Sequence, residues 1–289
     1  MYKFGVIDVG SNSVRLLFVA DGKVLYKALQ TTRLGEGLAA TGKLCEAAIA
    51  RSAAAVDAFY RRAIAEGAEG VFVFATAAVR SAENGRTFTE RVESLCGLKT
   101  EVISGETEAE IGILGALGNA DGAVIDIGGA STEIVVKKSG VLVYKKSVDI
   151  GVVRLKDTCD RDKTKLEVAA KNAAQAFGDI PLQGVTLHAI GGTATTLAAQ
   201  YLQLKTYDPQ QITGAEMTTE QLQGLADKLL AKSVEEIAKL PCMPAGRADV
   251  LTGGAVLLAT LTQTLNIPKI VVSDRDNLEG YAIKKGWMR

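Results

Sequence analysis

Apolar runs alternate with polar turns along the whole chain, and the period of each run distinguishes strands from helices. Short apolar runs at residues 4–7 and 14–19 flank a polar turn, and the same plan returns at residues 123–127 and 132–137. Each pair predicts a strand, a tight turn and a second strand. Helical segments alternate with further strand-like runs between and after these pairs. The pattern is typical of an α/β protein with mixed sheets and helices outside them.

Capping residues and glycines set the expected ends of the helices. Ser104 is a candidate N-cap for a helix that runs to about Leu117, and Gly67 and Gly97 follow the ends of two other helices. The predicted helices are 46–65, 87–95, 105–117, 163–177, 194–202, 219–232 and 247–265, with a last helix from about 278. The further predicted strands are 71–75, 99–103, 141–148, 185–190 and 269–273, and 208–211 and 241–244 are predicted loops.

The polar segment 119–122, Asn-Ala-Asp-Gly, interrupts the first series of elements and marks a domain boundary. We therefore predict two domains, residues 1–119 and 120–289, with the last helix, about 278–289, able to pack back on the first domain. A chain of 289 residues is long enough for two separate cores. A cleft between two domains is a favoured position for a ligand.

Charge and hydropathy narrow the class of partner. The 33 basic and 33 acidic residues cancel, so no global field attracts nucleic acid or a membrane surface, and neither partner is expected. No apolar run approaches the roughly 18 residues that span a bilayer. The first residues lack the apolar core of a signal peptide, so the expected location is the cytoplasm.

Cysteine and histidine usage limits the available chemistry. The four cysteines show no Cys-X-X-Cys spacing, which argues against a zinc site or a disulfide framework. His188 is the single histidine and stands in an apolar strand-like run, where a packing role is expected. Acid–base work in an enzyme of this composition would therefore be done by carboxylates.

Two turns carry the same chemistry 118 positions apart. Residues 8–13 read Asp-Val-Gly-Ser-Asn-Ser, and residues 126–133 read Asp-Ile-Gly-Gly-Ala-Ser-Thr-Glu. A single Asp-X-Gly turn is ordinary turn chemistry. The duplication predicts two related half-domains, because Gly10 and Gly128 permit close backbone approach and the hydroxyl, amide and N–H groups can cradle phosphate oxygens. Facing each other, the two turns would form a phosphate clamp.

Other residues could extend such a clamp. Arg15 and Arg80 follow polar turns or predicted strands; each is either a solvated surface charge or a bidentate ligand for phosphate oxygens. A third turn, Gly191-Gly192-Thr193, follows a strand and opens a helix. It fits both a plain strand-to-helix connection and a phosphate site at a helix N-terminus. Its spacing is neither the Rossmann nor the Walker A pattern.

Glu106, Glu108 and Glu110 cluster at the start of the helix that Ser104 caps. Acidic residues favour a helix N-terminus because of the helix dipole, which explains them without any function. Alternatively, one carboxylate faces the cleft and orients a water for attack on phosphorus. The helix N-terminus is then expected to keep this base ionised at neutral pH.

In this order, these segments resemble the exopolyphosphatase/guanosine pentaphosphate phosphatase (Ppx/GppA) family within the actin, Hsp70 and sugar-kinase superfamily. The match covers nearly the whole chain. The matching segments are 8–15, 75–80, 104–109, 126–133, 151–155, 191–193 and 247–249. The resemblance implies two ribonuclease H-like (actin-like ATPase) domains, each a mixed five-stranded sheet flanked by helices, with the active site in the interdomain cleft.

The resemblance also implies a function and a role for each site residue. It implies Mg²⁺-dependent hydrolysis of the terminal phosphoanhydride bond of inorganic polyphosphate by a water that Glu108 orients, with Arg80 as a second catalytic residue that helps to hold the terminal phosphates. It also implies that the chain forms a homodimer. Long family members add helical C-terminal domains, so short chains are the expected substrate here. The implied metal ligands are Asp8, Asp126 and Glu133. The implied phosphate-binding residues are Gly10, Ser11, Asn12, Ser13, Arg15, Gly128, Gly129, Ala130, Ser131, Gly191, Gly192 and Thr193.

Three alternatives stay open at this point. The first is hydrolysis of guanosine pentaphosphate in the same cleft, the second a non-hydrolysing alarmone-binding or sensor protein, and the third a small-molecule kinase.

The chain also departs from the family pattern at Ala77, Glu110 and Ala130, and residues 273–280 keep the family's Glu-Gly but lose its Gly-Leu-Arg. Ala130 requires an allowed φ, and Glu110 adds negative charge near the predicted base.

Overall fold

The computed structural model describes residues 2–288, and its strands and helices alternate along the chain. The strands are β1 Lys3–Val9, β2 Ser13–Ala20, β3 Lys23–Thr31, β4 Gly70–Ala75, β5 Thr100–Val102, β6 Gly122–Ile127, β7 Thr132–Lys138, β8 Val141–Val148, β9 Leu187–Ile190, β10 Glu216–Thr218 and β11 Lys269–Val272. The helices are α1 Leu38–Thr41, α2 Glu46–Ala65, α3 Ala77–Ser81, α4 Gly85–Cys96, α5 Gly105–Leu117, α6 Val152–Cys159, α7 Lys163–Phe177, α8 Gly191–Tyr201, α9 Pro209–Ile212, α10 Thr219–Leu230, α11 Val234–Ala238, α12 Ala248–Thr264 and α13 Asn277–Lys284.

The strands form two mixed sheets with one common plan. The first has the order β3-β2-β1-β4-β5, and the second has the order β10-β11-β9-β6-β7-β8. In each sheet three consecutive strands form an antiparallel meander, and parallel strands extend it on the other side. The prediction of two mixed sheets is therefore confirmed. The second sheet has six strands and not five, because the three-residue β10 joins its edge antiparallel to β11.

Short elements account for most other differences from the sequence prediction. The predicted loop 208–211 is wrong: it contains α9, where Asp208 accepts a hydrogen bond from the Gln210 N–H and Pro209 occupies the first turn. Proline suits that position because its missing N–H would have no helical partner there. Elements of three to five residues carry too little periodicity to be detected from the sequence.

Helices α5 and α13 pack unusually close together. A Cβ atom on Gly115 would overlap the Asp276 carbonyl oxygen, and one on Gly280 would overlap the Ile111 carbonyl oxygen. Glycine at both positions therefore lets the two helix backbones touch. The same helix α13 packs on the first sheet, where the Tyr281 ring stacks on Phe74 with 4.7 Å between centroids. Helix α13 thereby links the first sheet to α5, the helix that Ser104 caps.

Among residues 2–288, no helix is both long enough and apolar enough to cross a membrane.

His188, the single histidine, lies half-buried in β9, where burial lowers its pKa. Its position in the strand agrees with the predicted packing role.

Candidate active site in the cleft between the sheets

The two polar turns are structural equivalents. The Gly10 N–H donates to the Ser13 carbonyl at 3.0 Å, and the Gly128 N–H donates to the Ser131 carbonyl at the same distance. In the strand registers, Asp8 lies opposite Arg15 and Asp126 lies opposite Glu133. The second turn thus repeats the first, with an acid where the first has a base.

The turns also touch each other. A Cβ atom on Gly129 would lie 2.6 Å from the Ser11 Cβ and 3.1 Å from the Asn12 backbone nitrogen. Only glycine permits this approach. The turns therefore face each other, as the duplication predicted, and they form one end of a cleft of about 920 Å³.

The third glycine turn completes this end of the cleft. Gly191 has a φ of 76°, and a Cβ atom there would overlap Asp126 Oδ1. The Thr193 hydroxyl donates to the Ile127 carbonyl at 3.1 Å. Glycine is required at 191 for its backbone conformation and for the space beside Asp126. The start of α8 is therefore fixed directly against the second turn.

Most of the predicted site residues line this cleft together. Those that do are Asp8, Gly10, Ser11, Asn12, Ser13, Arg15, Glu108, Asp126, Gly128, Gly129, Ala130, Ser131, Gly191, Gly192 and Thr193. Arg80 and Glu133 are not part of the lining. Arg80 reaches it through Glu108, and the buried Glu133 Oε1 accepts a hydrogen bond from Ser147 at 2.6 Å.

Several buried carboxyl groups lie close enough for their charges to act on one another, among them Asp8, Glu108, Asp126, Glu133 and Asp276. Burial, with Glu133 and Asp276 nearby, raises the pKa of Asp126 to about 7. Burial likewise raises the pKa of Asp8, although Arg15 opposes the shift. Asp8 Oδ1 and Glu133 Oε2 are buried without a hydrogen-bond partner. Carboxylates in such a position favour a cation or a proton.

The carboxylates of the cleft fit a Mg²⁺ ion that binds together with substrate. Within residues 2–288, no group of three or more acidic, histidine or cysteine side chains is arranged to hold a metal alone. Mg²⁺ does not need such a cage, since it commonly binds one or two carboxylates together with waters and substrate phosphates. The unpartnered Asp8 Oδ1 and the raised pKa of Asp126 fit this mode of binding.

Glu108 lies at the start of α5 and is paired with Arg80. The Arg80 Nη1 donates to Glu108 Oε2 at 3.2 Å and to the Ile103 carbonyl at 2.8 Å. Burial first, and then the charge of Glu133, raise the pKa of Glu108 well above its ordinary value, while Arg80 lowers it. Burial thus opposes the ionised form that the helix N-terminus was expected to favour. A raised pKa makes the carboxylate a stronger acceptor for a proton from water.

The other two glutamates of the cluster point elsewhere. Glu106 and Glu110 both pair with Lys145 on β8, at 2.8 and 2.9 Å. The Glu110 charge is thus balanced and does not add directly to the acidic cluster. Ser104 caps α5 as predicted, accepting from the Thr107 N–H at 3.1 Å. Ala130 is not among the non-glycine residues with positive φ, so this departure introduces no backbone strain.

Arg15 is held by carboxylates. Its Nε donates to Asp8 Oδ2 at 3.0 Å, and its Nη1 pairs with Asp276. The phosphate-binding role predicted for Arg15 is therefore shared with an ion pair on each side. Sequence reasoning missed the Asp276 contact because the partner is 261 positions away.

Arg247 is a site residue to which the sequence analysis gave no role. Its side chain is buried over Gly192 at the cleft, and its Nε has no hydrogen-bond partner. Burial, with the positive charge of Arg15, lowers the pKa of Arg247 to about 10. A buried guanidinium without a counterion favours binding of an anion. Its only signal in the sequence was its place in the 247–249 segment of the family pattern.

Removing the charge of Arg80 is expected to move the acid limb of the pH–rate profile. Arg80 favours the ionised form of Glu108, so Arg80→Gln should raise the pKa of Glu108 further and shift the acid limb of kcat/KM to higher pH. Arg80→Lys keeps the charge and should shift it less. The measurement is kcat/KM between about pH 5 and 9; an acid limb at the same pH in all three proteins would contradict the pairing.

Comparison with known proteins places this cleft in a family. The sequence profile of the Ppx/GppA phosphatase family matches residues 16–285. Exopolyphosphatase 2 of Mycobacterium tuberculosis is 32% identical over 97% of this chain and 98% of its own length. The guanosine-5'-triphosphate,3'-diphosphate pyrophosphatase of Pseudoalteromonas translucida is 29% identical over 98% of this chain, which spans 58% of that protein.

A solved structure agrees with these matches. The crystal structure of the Aquifex aeolicus member of the Ppx/GppA protein family superposes with a TM-score of 0.80 at 28% identity, covering 99% of this chain and 97% of the other. The likeness extends over both sheets and so includes the cleft between them. The predicted family, fold class and enzyme class are confirmed, and the chain belongs to the Ppx/GppA phosphatase family.

Proposed function

We propose that this chain is an exopolyphosphatase that uses Mg²⁺ to hydrolyse the terminal phosphoanhydride bond of inorganic polyphosphate. The observation that carries the proposal is the contact between two equivalent turns across the cleft, with Glu108 buried beside them. Exopolyphosphatase 2, which matches this chain end to end, supports the choice of substrate.

The turns would hold the terminal phosphate. Backbone N–H groups and the side chains of Ser11, Asn12 and Ser131 line the cleft and can donate to phosphate oxygens. Arg247 offers a guanidinium without a counterion to a second phosphate of the polyphosphate substrate, further from its terminus. Catalysis would come mainly from positioning and charge neutralisation, as in other phosphoryl transfers.

Glu108 would orient and deprotonate the attacking water. The water oxygen forms a bond to the terminal phosphorus, and the bridging P–O bond breaks with its electron pair on the leaving phosphate. The proton passes to a Glu108 oxygen, and the products are inorganic phosphate and a chain shorter by one unit. Arg80 holds the carboxylate in place through its 3.2 Å hydrogen bond.

Asp8 and Asp126 would hold Mg²⁺, and Glu133 would add negative charge behind them. When bound, the ion neutralises charge on the phosphate oxygens. Asp8 contributes its unpartnered Oδ1, and Asp126 projects toward Gly191 at the third turn. The chain's part is to keep both carboxylates fixed at the closed end of the cleft.

Hydrolysis of guanosine pentaphosphate is the second candidate. The outer part of the cleft is lined by exposed apolar side chains, including Leu25, Leu29 and the Tyr207 ring. Such a surface can receive a nucleoside, because a base stacks on an aromatic or aliphatic face. The relative from Pseudoalteromonas translucida carries the corresponding name.

One phosphate-release assay tests the substrate. We expect short polyphosphate to be hydrolysed with a kcat/KM at least equal to that of long chains, and guanosine pentaphosphate more slowly. The cleft of about 920 Å³ holds a limited number of phosphates, and those outside it experience weak, salt-screened attraction. Kinetics with defined chain lengths and with guanosine pentaphosphate give the answer. Efficiency that climbs steeply with length would contradict it, and release from ATP only with an acceptor would indicate a kinase.

A further inference from the structure

Asn277, the first residue of α13, contacts the second turn directly. Its Nδ2 donates to Asp126 Oδ2 at 2.9 Å, and the asparagine is 4% exposed. The amide nitrogen can only donate, so it faces Asp126 and the amide oxygen points away from it. The amide oxygen Oδ1 is buried without a hydrogen-bond partner and packs against α5, where a Cβ atom on Gly112 would lie 2.9 Å from it. The amide therefore lies between α5 and Asp126 and is held by its one hydrogen bond to Asp126.

Asp276, the residue before it, reaches the first turn. Its Oδ1 accepts from the Leu278 N–H at 3.0 Å and caps α13. Its Oδ2 pairs with Arg15 Nη1, and the Nε of Arg15 donates to Asp8 Oδ2 at 3.0 Å. Asp276 therefore acts on Asp8 through a single guanidinium.

Each of these contacts uses only one of the two oxygens of a turn carboxylate. Asp8 uses Oδ2 for Arg15, and its Oδ1 has no partner. Asp126 uses Oδ2 for Asn277, and its Oδ1 faces Gly191. The close packing of Gly115 and Gly280 fixes α13 on α5, the helix that carries Glu108.

We propose that Asp276 and Asn277 are positioning residues that orient the Asp8 and Asp126 carboxylates for a divalent cation. This inference rests on the proposed function, which assigns the cation to those two acids. One dipeptide serves both turns because α13 crosses from the second sheet to the first. Groups that orient metal ligands in this way typically change metal affinity by about 10- to 100-fold when removed.

The direct test is the Mg²⁺ affinity of Asn277→Leu, measured by calorimetry with inorganic phosphate present, because the site is expected to hold the ion together with phosphate oxygens. Leucine keeps the approximate shape but donates no hydrogen bond, so we expect the Kd for Mg²⁺ to rise about 10-fold or more. Asp276→Asn should also raise it, because the neutral amide holds Arg15 less tightly; this variant tests the inference if Asn277→Leu does not fold.

Asn84→Leu is the matched control. The Asn84 amide makes two hydrogen bonds to the Leu44 backbone, at 2.8 and 2.9 Å, away from the cleft. It should lose thermal stability but keep the wild-type Kd for Mg²⁺. At saturating Mg²⁺, Asn277→Leu should recover most of its kcat, whereas general structural damage would not be rescued.

The outcomes separate the two proposals. If the wild-type protein binds and requires Mg²⁺ but both α13 variants keep its Kd, this inference is overturned and the proposed function stands. If the wild-type protein hydrolyses polyphosphate without binding Mg²⁺, both proposals are overturned. A rise in Kd in the α13 variants alone, with Asn84→Leu unaffected, supports the positioning role.

Discussion

Replacement of Glu108 by glutamine is expected to lower kcat by at least about a hundredfold, which is the lower range for loss of a general base. Glutamine fills the same space and can still accept a hydrogen bond from Arg80, but it cannot take the proton from water. Since Glu108 is assigned to the water and not to the phosphates, KM should change little. Steady-state phosphate release and equilibrium binding of the substrate give both quantities.

Glu106→Gln is the control for this experiment. Glu106 lies on the same first turn of α5, but its side chain is 67% exposed and pairs with Lys145. Its replacement should leave kcat close to the wild-type value. If Glu108→Gln released phosphate at a near-normal rate, the base assignment would be wrong, and Glu133 would be the next carboxylate to test.

The turns could be predicted from the sequence because their chemistry is local. Asp, Gly and Ser at fixed offsets determine a hydrogen-bonded turn within six residues, and the structure shows the same Gly10–Ser13 and Gly128–Ser131 bonds. The helix that Ser104 caps was predictable for the same reason. The polar groups that a turn exposes to the cleft are set by a few neighbouring residues, so they can be predicted from a short sequence segment.

The environment of each carboxyl group was not predictable in this way. Asn277 binds Asp126 across 151 positions, and Asp276 pairs with Arg15 across 261. In the sequence these two residues were only departures from a family pattern. The pKa direction of Glu108 also depends on burial and on Glu133, which the helix-dipole argument did not include. The pKa values of the carboxyl groups depend on contacts between residues that are distant in the sequence, whereas the backbone conformation of the turns depends on neighbouring residues.

Asp126 shows how this electrostatics couples to folding. Its pKa is raised to about 7 in the folded chain, from an ordinary value near 3.8, by burial and by Glu133 and Asp276. The folded state therefore holds this proton more tightly than the unfolded state does. The contribution to stability is complete below about pH 3.8 and is lost as the pH rises through about 7. Without a cation, the carboxyl cluster should make the fold less stable at pH 8 than at pH 6.

Mg²⁺ should reverse that loss, and its removal should stop hydrolysis. We expect excess chelator to abolish phosphate release and added Mg²⁺ to restore it, and Asp126→Asn to lower activity by at least about a hundredfold, in line with the several kcal/mol that a metal ion contributes to transition-state charge stabilisation. Because the ion competes with the proton on Asp126, the rise in Tm on adding Mg²⁺ should be larger at pH 8 than at pH 6. In Asp126→Asn this pH dependence should be much reduced, since asparagine carries no proton to displace. A Mg²⁺-induced rise in Tm that is equal at both pH values would contradict the assignment of Asp126 as a ligand, and full activity in chelator would leave Asp8 and Asp126 as turn residues without a metal.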